Sequence, residues 1–163
     1  ARGESALAAD SPPAEPVATD ALLEWVHAAE TPLIVLGPAL NDTRAPGLAD
    51  AVSHALGAPV IAMESPRGLN DPALGHLGPV FAEADRILLL GKPLDFTLKL
   101  GAAAPGARWA VVNADGAECA RARRNVGARL DMELTQCARA TAEQLATRAP
   151  ERSRDRSHDV LSG

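Results

Sequence analysis

The sequence predicts one α/β domain on an open, mostly parallel sheet, with helices on both faces. Three short apolar runs point there: Leu33-Ile34-Val35-Leu36-Gly37, Ile87-Leu88-Leu89-Leu90-Gly91 and Trp109-Ala110-Val111-Val112. Each is too short for a helix and lacks period-two alternation, so each reads as a strand buried on both faces. Stretches of helical periodicity separate them, the pattern of alternating strand and helix that builds parallel sheets. Ligands of such sheets bind beyond the carboxyl ends of the strands, which makes Gly37 and Gly91 the rim to inspect.

The chain of 163 residues fits one domain. Its ends look irregular, leaving roughly 130 residues for a fold with a core of ordinary size. Hydrophobic residues make up 47% but aromatics only 2%, so the core relies on Leu, Val, Ile and Ala and offers little surface for stacking on bases. Lysine and arginine number 16 against 21 acidic residues, a net charge of −5, which disfavours nucleic acid as a partner. No apolar run approaches the about 18–20 residues of a membrane span. Ala1 to Ala18 has no apolar segment of the signal-peptide kind. Cys119 and Cys137 have neither CxxC spacing nor histidines in zinc register, and Cys137 reads as a buried thiol. The expected compartment is the cytoplasm.

Residues 1–18, with Pro12, Pro13 and Pro16, read as a linker. Thr19 or Asp20 caps a first helix carrying Leu22, Leu23, Val26 and Ala29 on one side. After the strand Leu33–Gly37, Asn41-Asp42-Thr43 caps a second helix, with Pro46 in its first turn. Leu48, Val52, Ala55 and Leu56 form its buried stripe, and Gly57 suits a left-handed end. A second strand covers Pro59–Met63. The stretch Glu64 to Val80 holds three glycines and three prolines and reads as a loop. A short helix over Val80–Ala84 precedes the strand Arg86–Gly91. Asp95–Gly101 reads as a helical turn and Arg108–Val112 as a strand. Asp115 caps a helix through Arg123, Gly127–Leu130 is a weaker strand, and a last helix spans Glu133–Thr147 with Leu134, Cys137, Thr141 and Leu145 on one face. Residues 148–163 are charged and unpatterned, a tail or the start of a linker.

A phosphate site needs a tight glycine turn between the first strand and the helix after it, so that backbone amides meet the anion. Here the turn is Gly37-Pro38-Ala39-Leu40-Asn41-Asp42-Thr43. It has one glycine, Pro38 removes a donor, Asp42 adds a negative charge, and the Gly-x-Gly-x-x-Gly fingerprint is absent. At the second rim element, Lys92 can reach a phosphate and Arg67 can face it from Pro66-Arg67-Gly68. The competing reading makes both solvated loop cations, one paired with Asp95 or Glu64 for about 0–1 kcal/mol. Asp115 can bind a ribose hydroxyl, or cap the helix that follows it, the commoner role. His27 and His54 fall on helices, His76 in a loop and His158 in the tail, and spacing gives none of them a carboxylate or serine partner. Ser65 lacks the flanking glycines of a nucleophile elbow. Arg121, Arg123 and Arg124 read as a solvated face or as intrachain contacts. No catalytic residues and no metal ligands emerge.

Four stretches in order resemble the central domain of thiamine-diphosphate-dependent enzymes, the group of acetolactate synthase, 2-hydroxyacyl-CoA lyase and oxalyl-CoA decarboxylase. They are Thr31–Gly37, Leu56–Val60, Ala84–Gly91 with Leu94-Asp95-Phe96, and Val111–Glu118, within a domain spanning 19–147. The resemblance implies a Rossmann-like sheet of about six strands lying between pyrimidine- and diphosphate-binding domains. Those two domains hold thiamine diphosphate and Mg²⁺ in the intact enzyme, a lyase or carboligase acting on 2-oxo acids or 2-hydroxyacyl thioesters. Neither the Gly-Asp-Gly run nor the catalytic glutamate of that family occurs here. The isolated domain is therefore expected to be inactive, to bind neither metal nor thiamine diphosphate, and to associate as a homo-oligomer. Some relatives hold FAD or ADP in this domain. The glycine-poor first turn and the short Arg67-Gly68-Leu69-Asn70-Asp71-Pro72 loop argue against FAD, and ADP suits the remaining space better. The positions carried over for a nucleotide are Gly37, Arg67, Gly91, Lys92 and Asp115. A stand-alone adenine-nucleotide-binding module is the alternative function. An NAD-dependent deacylase is disfavoured, for want of a placed catalytic histidine and of zinc-binding cysteines.

Overall fold

The computed structural model describes residues 13–63, 77–95, 98, 102 and 104–147. The elements are α1 (Pro16–His27), β1 (Pro32–Leu36), α2 (Leu48–Leu56), β2 (Val60–Ala62), α3 (Leu77–Glu83), β3 (Arg86–Leu90), β4 (Arg108–Val112), α4 (Gly116–Val126) and β5 (Leu130–Leu134). A last helix, α5, covers residues 138–147. Five strands form one sheet in the order β2-β1-β3-β4-β5, every neighbouring pair parallel. The sheet is the α/β architecture expected, with five strands among the described residues where the resemblance implied about six.

Both faces of the central strands are buried, which is why they carry no alternation. Ile34, Leu36, Leu88, Leu90, Ala110 and Val112 point to one face, under Leu22, Leu23 and Val26 of α1, Val52 and Leu56 of α2, and Ala142 and Leu145 of α5. Leu33, Val35, Ile87, Leu89, Trp109 and Val111 point to the other, under Phe81 of α3 and Cys119, Ala122 and Val126 of α4. Each fully buried Leu or Ile contributes about 1.5–3 kcal/mol of transfer free energy. Among the described residues the exposed large apolar side chains are Val17 and Val80. None of the described helices is long and apolar enough to cross a membrane.

Several local expectations are corrected. Helix α1 starts at Pro16, because a proline at the first helical position loses no hydrogen bond. Thr19 is not its cap: the hydroxyl is buried and donates to Gln144 Oε1 at 2.7 Å. Asn41 caps a turn through Arg44 N at 2.9 Å, and α2 begins only after Gly47, a left-handed residue at φ 77°. Pro46 therefore precedes the helix. Leu77–Val80 are helical, so α3 starts three residues before the expected helix. The turn expected over Asp95–Gly101 falls mostly outside the described residues.

The largest correction concerns the carboxyl end. Leu130–Leu134 is an edge strand, and α5 begins at residue 138. Leu134 and Cys137 thus lie outside the helix that was to carry them. The pairing skips from Trp109 opposite Leu130 to Ala110 opposite Met132, leaving Asp131 as a bulge. The bulge sends Leu130 to one face of the sheet and Met132 with Leu134 to the other. Cys137 is half-buried, and its Sγ accepts from Ala140 N at 3.5 Å, as a helix cap does.

Candidate functional site

The connections that leave β1 and β3 run to opposite faces: α2 follows β1 on one, and the chain after β3 places Leu94, Leu98 and Ala104 on the other. The point between β1 and β3 is therefore the topological switch, where open α/β sheets offer a crevice to ligands. Here the ladder continues one residue past each strand. Gly37 N donates to Leu90 O at 3.0 Å, and Gly91 N to Val112 O at 2.9 Å.

The two glycines are required for different reasons. Gly37 has ordinary extended backbone, φ −73° and ψ 168°, so any residue could adopt its conformation. What excludes a side chain is space. A Cβ there would run into the carbonyl oxygen of Gly91, and it would lie 2.8 Å from that carbonyl carbon and 3.3 Å from Lys92 N. Gly91 instead needs its freedom, at φ 69°, and a Cβ on it would sit 3.2 Å from Ala138 Cβ. Beyond Gly37 the chain makes a single 3₁₀ turn, Pro38–Leu40, which buries Leu40 in the core. The next helix, α2, begins only at Leu48.

Lys92 is 5% exposed. Its Nζ donates to Pro93 O at 3.3 Å and to Asp95 Oδ1 at 3.4 Å. Burial pushes its pKa down, opposed by the negative charges of Asp95 and Glu118. The cation is held against its own loop and away from solvent. Asp115 is the N-cap of α4, accepting from Ala117 N at 2.9 Å. Its Oδ1 is thereby engaged by the helix. Arg67 lies outside the described residues. The structure thus brings Gly37, Gly91 and Lys92 together, and puts Asp115 at the end of the neighbouring strand.

The other polar groups serve the fold. Arg121 pairs with Glu118 at 3.5 Å and Arg123 pairs with Glu133, so two of the three clustered arginines make intrachain contacts. Cys119 is buried beside Thr135 Oγ1, and desolvation raises its pKa, the opposite of an activated thiol. Among the described residues no group of three or more His, Cys, Asp or Glu could hold a metal ion.

The sequence reading missed a polar seam between α1 and α5. Gln144 takes the Thr19 hydroxyl and donates to Ala14 O at 3.2 Å, while Gln136 accepts from Glu15 N at 3.4 Å and donates to Thr141 Oγ1 at 2.7 Å. Its only signal was a set of small polar residues among apolar ones. Two clefts remain. One of about 340 Å³ lies at the amino ends of β1 and β2, between Thr31, Pro59 and Glu83. One of about 310 Å³ lies between Pro46, Leu48 and the Arg139–Glu143 pair.

No family model matches the chain, and no significant match exists among curated proteins. Solved structures do match. A thiamine diphosphate-dependent 4-hydroxybenzoylformate decarboxylase from Rhodococcus jostii RHA1 aligns with a TM-score of 0.60 and 26% identity, over 83% of this chain and 28% of its own. An enzyme from Mycobacterium smegmatis described as thiamin diphosphate-dependent aligns at 0.56 and 17% identity, over 84% of this chain and 28% of its own. The second likeness concerns the fold alone. The chain is thus similar to part of thiamine-diphosphate-dependent enzymes, and it spans about 28% of the length of the two it matches.

Proposed function

We propose that this chain is the central domain of a thiamine-diphosphate- and Mg²⁺-dependent lyase or carboligase of the cytoplasm, a scaffold without catalytic activity of its own. The observation that carries this reading is the match to the decarboxylase at 26% identity over 83% of the chain. The residue chemistry agrees with it. Polar side chains such as Asn41, Asp85, Asp115 and Gln144 cap helices, close turns or join elements. The cofactor and Mg²⁺ belong, in this proposal, to pyrimidine- and diphosphate-binding domains that flank the fold in the full-length protein, and those domains are its partners. The parent reaction makes or breaks a carbon–carbon bond next to a carbonyl, with the cofactor as electron sink.

The test is an assay of the purified chain with thiamine diphosphate, Mg²⁺ and a panel of 2-oxo acids, pyruvate and benzoylformate included. The proposal expects no turnover above the cofactor blank. Saturable decarboxylation that depends on the chain would end it. The reading frame around the segment supplies an independent check, since the proposal expects it to encode both flanking domains.

A further inference from the structure

We infer that, among the described residues, the ends of β1 and β3 meet in a sealed backbone crossing, so the FAD or ADP that the resemblance allows in this domain has no seat between Gly37 and Gly91. The inference rests on filled volume and not on the scaffold reading above. A nucleotide at a switch point needs a gap between two diverging loops, free amides on at least one of them, and a positive pole. Each requirement meets an obstacle among the described residues. The gap is filled, because Gly37 lies so close to the Gly91 carbonyl that a single methyl group would collide with it. The amides of Gly37 and Gly91 are spent on Leu90 O and Val112 O. The 3₁₀ turn after Gly37 turns Leu40 inward, where a phosphate-binding helix would begin. The nearest cation, Lys92, is buried and held by Asp95. Asp115, the candidate ribose ligand, has its Oδ1 engaged as a cap. Glycine at position 37 therefore admits the neighbouring strand end, not a phosphate.

The experiment is a titration of the ¹⁵N-labelled chain with ADP, FAD and NAD, each to about 1 mM, a range that reveals even weak sites. The expected result is no saturable shift of the Gly37, Gly91 and Lys92 amides. Binding that maps to other amides agrees with the inference, and saturable shifts at these three overturn it. A pair of variants adds a second readout. Gly37→Ala should lower the melting temperature by about 5 °C or more, or prevent folding, as expected of a severe clash. Gly106→Ala, with open space around its Cβ, should leave the melting temperature unchanged. Equal melting temperatures for Gly37→Ala and the wild type would show that the crossing is not tight.

Discussion

The two ends of the sheet solve the same problem by different chemistry. At the amino end, charged side chains reach between elements. Asp85 accepts from Glu30 N at 2.8 Å and Thr31 N at 3.0 Å, holding the turn that feeds β1. Arg86 donates to Trp25 O at 2.7 Å and lies 5.3 Å from the centre of the Trp25 ring. Asp131, turned out by the bulge, takes Arg108 Nε at 2.7 Å and Trp25 Nε1 at 2.9 Å. At the carboxyl end the closure is made by backbone: two glycines in contact, and a lysine folded onto its own loop. The difference teaches that glycines at the rim where ligands are sought can serve close backbone packing, while charged side chains at the other end act as fasteners.

The largest expected effect comes from the core common to both ends. Leu88→Ala, on the central strand and 1% exposed, should cost about 2–5 kcal/mol by urea denaturation, whichever end governs the rest. Asp85→Ala should cost less, about 1–2 kcal/mol, because its hydrogen bonds are charge-assisted but lie near solvent.

The acid limb of stability sharpens the comparison. Burial pushes the Asp85 carboxyl up, but the Glu30 and Thr31 donors outweigh it and hold it below its ordinary value of 3.8. Hydrogen bonds from Arg108 and Trp25 likewise lower Asp131. A carboxylate whose folded pKa is depressed contributes stability above its unfolded pKa and loses it as pH falls through the folded value. Stability should thus fall as pH drops below about 4, and Asp85→Asn should flatten that fall in acid-titrated denaturation curves. Asp115→Ala, at the other end, should cost about 1 kcal/mol by urea denaturation, the loss of a helix cap. Smallest of all, the ring–guanidinium contact should contribute under about 1 kcal/mol, read as the coupling in a double-mutant cycle of Arg86→Met with Trp25→Leu, which by itself also loses the hydrogen bond to Asp131.

Much of this fold is legible in the sequence because burial writes itself into composition. Strands such as Ile87–Leu90 and Leu33–Leu36, covered on both sides, can be little else but apolar. The edge strand Leu130–Leu134 was displaced by a helix reading because Leu134, Thr141 and Leu145 fall near helical spacing by coincidence, and a bulge breaks the face pattern of Leu130 and Met132. The first helix start was misread because a polar residue serves a distant partner. Thr19 looks like a cap, but its partner is Gln144, 125 residues away. The cap at Asp115 and the Lys92–Asp95 pair were readable because their partners are local. The contact of Gly37 with Gly91 was not, since it depends on how β1 and β3 align across the sheet.

Amide hydrogen exchange at Gly37 and Gly91 tests the sealed rim most directly. Both amides should exchange as slowly as those of Leu88 and Leu89 in the middle of β3, opening only with the whole domain. Exchange at either glycine on the timescale of an open loop, orders of magnitude faster than β3, would contradict the account and restore a cleft at the switch point.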